Sequence, residues 1–242
     1  MAATLRGQEI TDYSGPNGNT IVGAPSVSPD ASVEFQGSNC TVTFDPGATL
    51  HGSITFRGDD SYVILGDGSL FRGSMALGLG CEIGIGDGFL CGAGAYLTAA
   101  EGANIRLGHD VLVSDRFQAR ADGSSLEQRP ETSKSITVGD HVWIGADATL
   151  AAGAVVGSGS VLRMHSVVTQ SMPVPESCLA SGSPAVVRRR QVSWVRDDVD
   201  DSTDPDVIDD DSRARCELSG DYMDECARHH QEACAGSSFY RL

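Results

Sequence analysis

The sequence predicts an all-β solenoid, a parallel β-helix, and three observations carry that prediction. Aliphatic residues recur every six positions, a turn cluster keeps time with them, and the glycines are spread through the first two-thirds of the chain rather than gathered in a linker. The spacing is clearest at Val138, Ile144, Leu150, Val156, Leu162 and Val168. Neither a helical period of about 3.6 nor the alternation of an ordinary strand gives consecutive hits at that interval. Fixed periodicity marks repeat architectures, in which each unit buries its apolar residue only by stacking on its neighbours. A sandwich would alternate and turn roughly every 8–12 residues.

Taken in chain order, the faint set Phe44, Leu50, Phe56 and Tyr62 places the first coils from about residue 30. Leu65, Phe71, Leu77 and Ile83 continue it, followed by Ile85, Cys91 and Leu97, then Leu107, Val113 and Ala119. The turn clusters are Leu65-Gly66-Asp67-Gly68, Ile85-Gly86-Asp87-Gly88, Leu107-Gly108-His109-Asp110, Val138-Gly139-Asp140-His141 and Val156-Gly157-Ser158-Gly159. Gly and Asp tolerate the left-handed backbone that sharp corners need, and small residues beside a corner let coils approach closely. The clusters are offset by 20, 22, 31 and 18 residues. Eighteen is three hexapeptides, one triangular coil, so the surplus must loop out, most of it between Ala119 and Ser135. The predicted organisation is a lead-in over 1–29, a solenoid over 30–187 with a loop at about 119–135, and an acidic tail over 188–242.

Composition narrows the function classes. A chain of 242 residues allows one large domain or a domain with a tail, and 40% hydrophobic residues suffice for a core. Aromatic residues at 6% are few for a sandwich built around large rings. No apolar run approaches the ~20 residues of a membrane helix, and Met1–Thr20 lacks a basic stretch followed by an apolar one. A cytoplasmic protein is expected. The net charge of −16 disfavours nucleic acid and anionic lipid as partners, because both are held through Lys and Arg. Asp197–Asp211 holds nine Asp in fifteen residues, with too little to bury to offset ordering entropy, so disorder is expected there. The seven cysteines form no paired framework. Cys40, Cys81, Cys91 and Cys178 read as small core residues, and Cys216, Cys226, His229, His230 and Cys234 make only a weak zinc pattern, so no metal is expected.

Two stretches carry a family resemblance. Ile136-Thr137-Val138-Gly139-Asp140-His141-Val142-Trp143-Ile144-Gly145 resembles the signature coil of hexapeptide-repeat acyltransferases. Ser166-Val167-Val168-Thr169, with Ser181-Gly182-Ser183-Pro184-Ala185-Val186-Val187-Arg188-Arg189, resembles the close of that solenoid. The resemblance is to the branch of galactoside, maltose, capsule-sugar and xenobiotic O-acetyltransferases. It implies a left-handed β-helix, against the usual right-handed crossover. It also implies a homotrimer with sites between subunits, acetyl-CoA or another acyl-CoA as co-substrate, and a hydroxyl-bearing acceptor. Trp143 falls where the family flanks the thioester channel, Ala146 where it offers a backbone amide, and Arg188 and Arg189 where nucleotide phosphates would be met.

The chain departs from that pattern twice. The family's general-base histidine falls on Ser124, inside Ala119-Arg120-Ala121-Asp122-Gly123-Ser124-Ser125. The small stretch that beds the pantetheine arm is replaced by Arg163-Met164-His165. Candidates for the proton transfer are therefore Ser124, Asp122 and His165, with Glu127 also in the loop. A carboxylate serves as base for an alcohol only with a raised pKa, and Ser124 needs an activating partner. His109 and His141 sit at corners and read as structural. The leading expectation is an acyl-CoA-dependent O-acyltransferase acting on a sugar, polysaccharide precursor or small metabolite. The alternative is a catalytically degenerate trimeric scaffold or regulatory subunit.

Overall fold

The computed structural model describes residues 3–100, 102–121 and 134–196, with the backbone of 214–215. The chain divides into two compact units, Met1–Arg190 and Gln191–Leu242. In the second, Val195–Arg196 pairs antiparallel with Ala214–Arg215. The acidic run expected to be disordered, and the tail Cys and His residues, lie outside the described residues.

The first unit is a left-handed parallel β-helix of about seven turns with three walls. Wall one stacks Thr20–Val22, Thr41–Phe44, Tyr62–Leu65, Glu82–Ile85, Asn104–Leu107, Ile136–Val138 and Val155–Val156 in parallel. Wall two runs from Ser26–Val27 through Leu90–Cys91, Leu112–Val113, Trp143–Ile144 and Val161–Leu162 to Cys178–Ser181. Wall three runs from Ser32–Phe35 through Ala95–Ala99, Gln118–Ala121 and Thr149–Leu150 to Val167–Val168. Two eight-residue strands, Thr49–Phe56 and Leu70–Leu77, run through the corner and serve walls two and three together. Parallel pairing begins at Thr20–Val22, upstream of the coils that the six-residue spacing marks.

The turn clusters stack residue on residue. Leu65 pairs with Ile85, Ile85 with Leu107, Leu107 with Val138 and Val138 with Val156, which reproduces all four sequence offsets. The second residue of each cluster must be small: a Cβ on Gly86 or Gly108 would lie 2.6 Å from backbone of the next coil, and one on Gly157 2.5 Å away. The third residue forms a ladder. The amide of Asp67 donates to Asp87 Oδ1, that of Asp87 to His109 Nδ1, that of His109 to Asp140 Oδ1 and that of Asp140 to Ser158 Oγ, at 2.8–3.0 Å. His109 thus takes the acceptor place that Asp holds in neighbouring coils, a structural role.

The lumen is one apolar column. Val138, Ile144, Leu150, Val156, Leu162 and Val168 are all buried, as are Leu65, Phe71, Leu77, Ile83, Ile85, Cys91, Leu97, Leu107, Val113 and Ala119. Rings fill the wider lower coils, where Phe35 and Phe56 stack at 5.1 Å; Val, Ile, Leu and Ala suffice in the tight 18-residue coil between Val138 and Val156. One member of the spacing pattern is misplaced. Tyr62 is 49% exposed on wall one, and Val63 points inward instead, because the coils here exceed three hexapeptides and the phase slips by one residue. Cys40, Cys81, Cys91 and Cys178 are free and buried, as expected of core thiols.

Candidate functional site

The upper coils bring most of the sequence-selected residues to one edge, the corner between walls two and three. Trp143 begins its wall-two strand between Leu112 below and Val161 above, its ring outward and half-buried while Ile144 faces the lumen. Gly145 follows, and a Cβ there would lie 2.6 Å from the Met164 amide nitrogen, so this rung and the next are in backbone contact. Ala146 is buried, and its carbonyl accepts the His165 N–H at 2.9 Å.

One coil up, Arg163 and Met164 are half-buried and His165 is exposed. The Arg163 amide donates to Ala180, and the Arg163 carbonyl accepts the Ser166 hydroxyl at 2.6 Å. These side chains therefore stand on a rung fixed from both sides. Arg188 and Arg189 lie on Val186–Arg190, the antiparallel strand that closes the solenoid against Cys178–Ser181, where Arg189 pairs with Leu179. Arg188 Nε donates to Ser181 Oγ at 3.0 Å, and the side chain is otherwise exposed. Trp143 and Ala146 thus lie on one rung and Arg163, Met164 and His165 on the next, while Arg188 and Arg189 lie two strands further up, beyond Cys178–Ser181. Asp122, Ser124 and Glu127 lie outside the described residues.

Two residues that sequence reasoning did not select belong to the same corner. Arg116 binds Asp147 through both carboxylate oxygens, Nε to Oδ1 at 2.7 Å and Nη2 to Oδ2 at 2.6 Å, and Asp147 Oδ2 lies 3.8 Å from His165 Nδ1. That last separation is an ion-pair distance rather than a hydrogen bond. The Arg116 hydrogen bonds hold the Asp147 carboxyl below the usual carboxylate range, helped by the charges of Arg116 and His165 and opposed by burial, so it stays ionised at neutral pH. The signal was available in the numbering: 116, 147 and 165 are spaced by 31 and 18, the offsets of the turn clusters directly before them. Chemically, the corner offers an exposed imidazole above a fixed carboxylate and a half-buried indole, with cations on the closing strand above Cys178–Ser181. No group of three or more metal-ligating side chains occurs among the described residues.

On wall two, Leu70, Leu90, Leu112 and Trp143 project outward in one half-buried column. No helix among the described residues is long and apolar enough to cross a membrane.

Known proteins resemble this chain in sequence and fold. Residues 135–170 fit the family described as bacterial transferase hexapeptide (six repeats). A polysialic acid O-acetyltransferase of Escherichia coli O1:K1 / APEC is 32% identical over 143 residues, which is 57% of this chain and 46% of that protein. The match thus spans about half of the relative's own length. The crystal structure of the polySia-specific acetyltransferase NeuO superposes with a TM-score of 0.65 at 26% identity, covering 89% of this chain and 94% of that one. The polysialic acid O-acetyltransferase OatWY shares the fold, with a TM-score of 0.56 at 20% identity over 78% of this chain and 94% of its own.

Proposed function

We propose that this chain, a hexapeptide-repeat β-helix resembling the O-acetyltransferase branch of its family, transfers an acyl group from acyl-CoA to a hydroxyl. The acyl group is acetyl in the simplest case, and the acceptor is a sugar, a polysaccharide precursor or a small metabolite. The observation that carries this reading is the placing of Trp143, Ala146 and His165 on adjacent rungs, with Arg188 and Arg189 on the strand that closes the same wall above Cys178–Ser181. The fold shared with NeuO along nearly its whole length supports it.

Acyl-CoA supplies the activated thioester. The donor set fits it: the guanidinium groups of Arg188 and Arg189 suit its phosphates, the Trp143 ring offers an apolar wall, and the half-buried stems of Arg163 and Met164 line the place of the pantetheine arm. His165 accepts the acceptor's hydroxyl proton, a step that a positioned base of near-neutral pKa typically speeds by about 10²–10⁴-fold. Ser124 stands where the family carries its own base, which leaves His165 that task. Alignment of the two reactants between subunits contributes the remaining acceleration. The outward apolar column of Leu70, Leu90, Leu112 and Trp143 supports assembly with other copies of the chain; the family resemblance makes that assembly a homotrimer, and we place it in the cytoplasm.

Thiol release from acetyl-CoA, measured over a panel of sugars and alcohols, tests the reading. Acceptor-dependent release supports it, and none with CoA binding absent at millimolar concentration overturns it. A second reading draws on Ser124 and on the long side chains of Arg163, Met164 and His165 in the groove: a trimeric scaffold or regulatory subunit without chemistry. It requires that the chain bind no acyl-CoA, or bind it without turnover.

A further inference from the structure

The corner between walls two and three changes character along the solenoid. In the coil below the site its left-handed position is a glycine, Gly94, at φ 77°. In the three coils above, that position is held by Arg116, Asp147 and His165, at φ 57°, 57° and 58°. Left-handed backbone is unfavourable for residues with a Cβ, less so for Asp and His than for Arg. Here three such residues stand on consecutive rungs, so that their side chains leave one corner one above another.

Their contacts form one ladder. Arg116 clamps Asp147 through both oxygens, and Asp147 Oδ2 faces His165 Nδ1 at 3.8 Å. The other two corner histidines differ. His141 Nδ1 is engaged directly by Asp110 Oδ2 at 2.5 Å, and His109 Nδ1 accepts the Asp87 amide in the backbone ladder. His165 alone of the three meets its carboxylate across a gap, with its side chain 68% exposed. Asp147 faces it, with Arg116 behind that carboxylate.

We infer that Arg116 and Asp147 are positioning residues for His165: the guanidinium fork fixes the carboxylate, and the carboxylate orients the imidazole and faces the positive charge that forms on it when a proton arrives at Nε2. This deepens the acyl-transfer reading and rests on it. In the step, the acceptor's O–H bond breaks and its proton goes to His165 Nε2. The oxygen's electron pair forms the C–O bond of the new ester, the thioester C–S bond breaks, and the departing thiolate takes the proton from the imidazolium. CoA thiol and ester are the products, and the imidazole ends neutral.

The test is steady-state kinetics of the full chain with calorimetric titration of CoA, on His165→Ala, Asp147→Asn and the double variant. His165→Ala is expected to lower kcat at least 100-fold with CoA affinity within twofold, and added imidazole to restore at least tenfold. Asp147→Asn is expected to lower kcat about fivefold at unchanged KM, the worth of a unit charge ~4 Å away in bulk water. In the His165→Ala background the same change is expected to do nothing, because its effect passes through the imidazole. An equal loss in both backgrounds makes Asp147 merely structural and overturns the inference. Full turnover by His165→Ala overturns it too while leaving acyl transfer standing; no turnover by the unaltered chain overturns both. Arg116→Gln, on the far side of Asp147 from the imidazole, releases the carboxylate but leaves its charge, so it is expected to lower kcat by less than Asp147→Asn and to change nothing in the His165→Ala background; should Asp147→Asn fail to fold, an equal loss from Arg116→Gln in both backgrounds overturns the inference.

Discussion

Gly66 and Gly68 sit two residues apart in one turn, yet the structure needs glycine at each for opposite reasons. A Cβ on Gly66 would lie 2.6 Å from the Gly86 carbonyl carbon and 2.7 Å from the Asp87 nitrogen, both backbone of the next coil. Nothing lies within 4 Å of a Cβ on Gly68, whose φ is +59°. Substitution by Asn separates the two. Asn adopts left-handed backbone more readily than most residues, and Asp110 holds the equivalent place two coils up at φ 52°. Gly68→Asn should therefore cost at most about 0.5–1 kcal/mol. Gly66→Asn must lift one coil off the next, strain the Asp67–Asp87 hydrogen bond and overpack the corner, at about 3 kcal/mol or more. For a unit of this size that is roughly 6–12 °C in Tm, against about 1–4 °C for Gly68→Asn. Thermal unfolding followed by circular dichroism reads the difference. Equal losses, or a larger loss at Gly68, would refute the stacked-coil register.

Further outcomes follow from the same coordinates. Leu150→Ala, fully buried between Ala119 below and Val168 above, should lose about 2–5 kcal/mol in urea unfolding. The Cys91 thiol is pushed up to about 12 by burial, so at pH 8 it should resist a thiol reagent in the folded protein and react once the chain unfolds. Asp147 has a depressed folded pKa, so its pairing with Arg116 stabilises above the unfolded carboxylate value near 4 and is lost as pH falls through the lower folded value. Arg116 is 62% exposed, so the stability gap between the natural chain and Arg116→Gln should be under about 1 kcal/mol at pH 7 and close on acidification to pH 2. Replacing Arg188 and Arg189 together by Ala should weaken CoA binding about tenfold or more, with a shallower salt dependence.

Much of the solenoid was legible because its physics is local and repetitive. An aliphatic residue in the lumen has no alternative but to stack on its counterpart, so Val138, Ile144 and Leu150 announce the coil by spacing alone, and Gly66, Gly86 and Gly108 announce where coils touch. Tyr62 escaped because one extra residue in a coil reverses which side chain faces inward, a slip that spacing cannot date. The start of wall one at Thr20 was hidden by its threonines, which stack outward through hydroxyl contacts such as Thr20 Oγ1 to Thr41 Oγ1 at 2.8 Å rather than through an apolar pattern. The site was legible as a place but not as chemistry. Trp143, Arg163 and His165 lie in recognisable coils, whereas Asp147 reads as an ordinary corner residue until Arg116 is seen below it and His165 above.

The claim on which the functional account stands is that this edge of the solenoid holds an acyl-CoA. Calorimetric titration of the full chain with CoA tests it most directly. The account predicts saturable binding that weakens when Arg188 and Arg189 are replaced and when Trp143 becomes Ala. A flat titration at millimolar CoA, with the solenoid intact by circular dichroism, would contradict it.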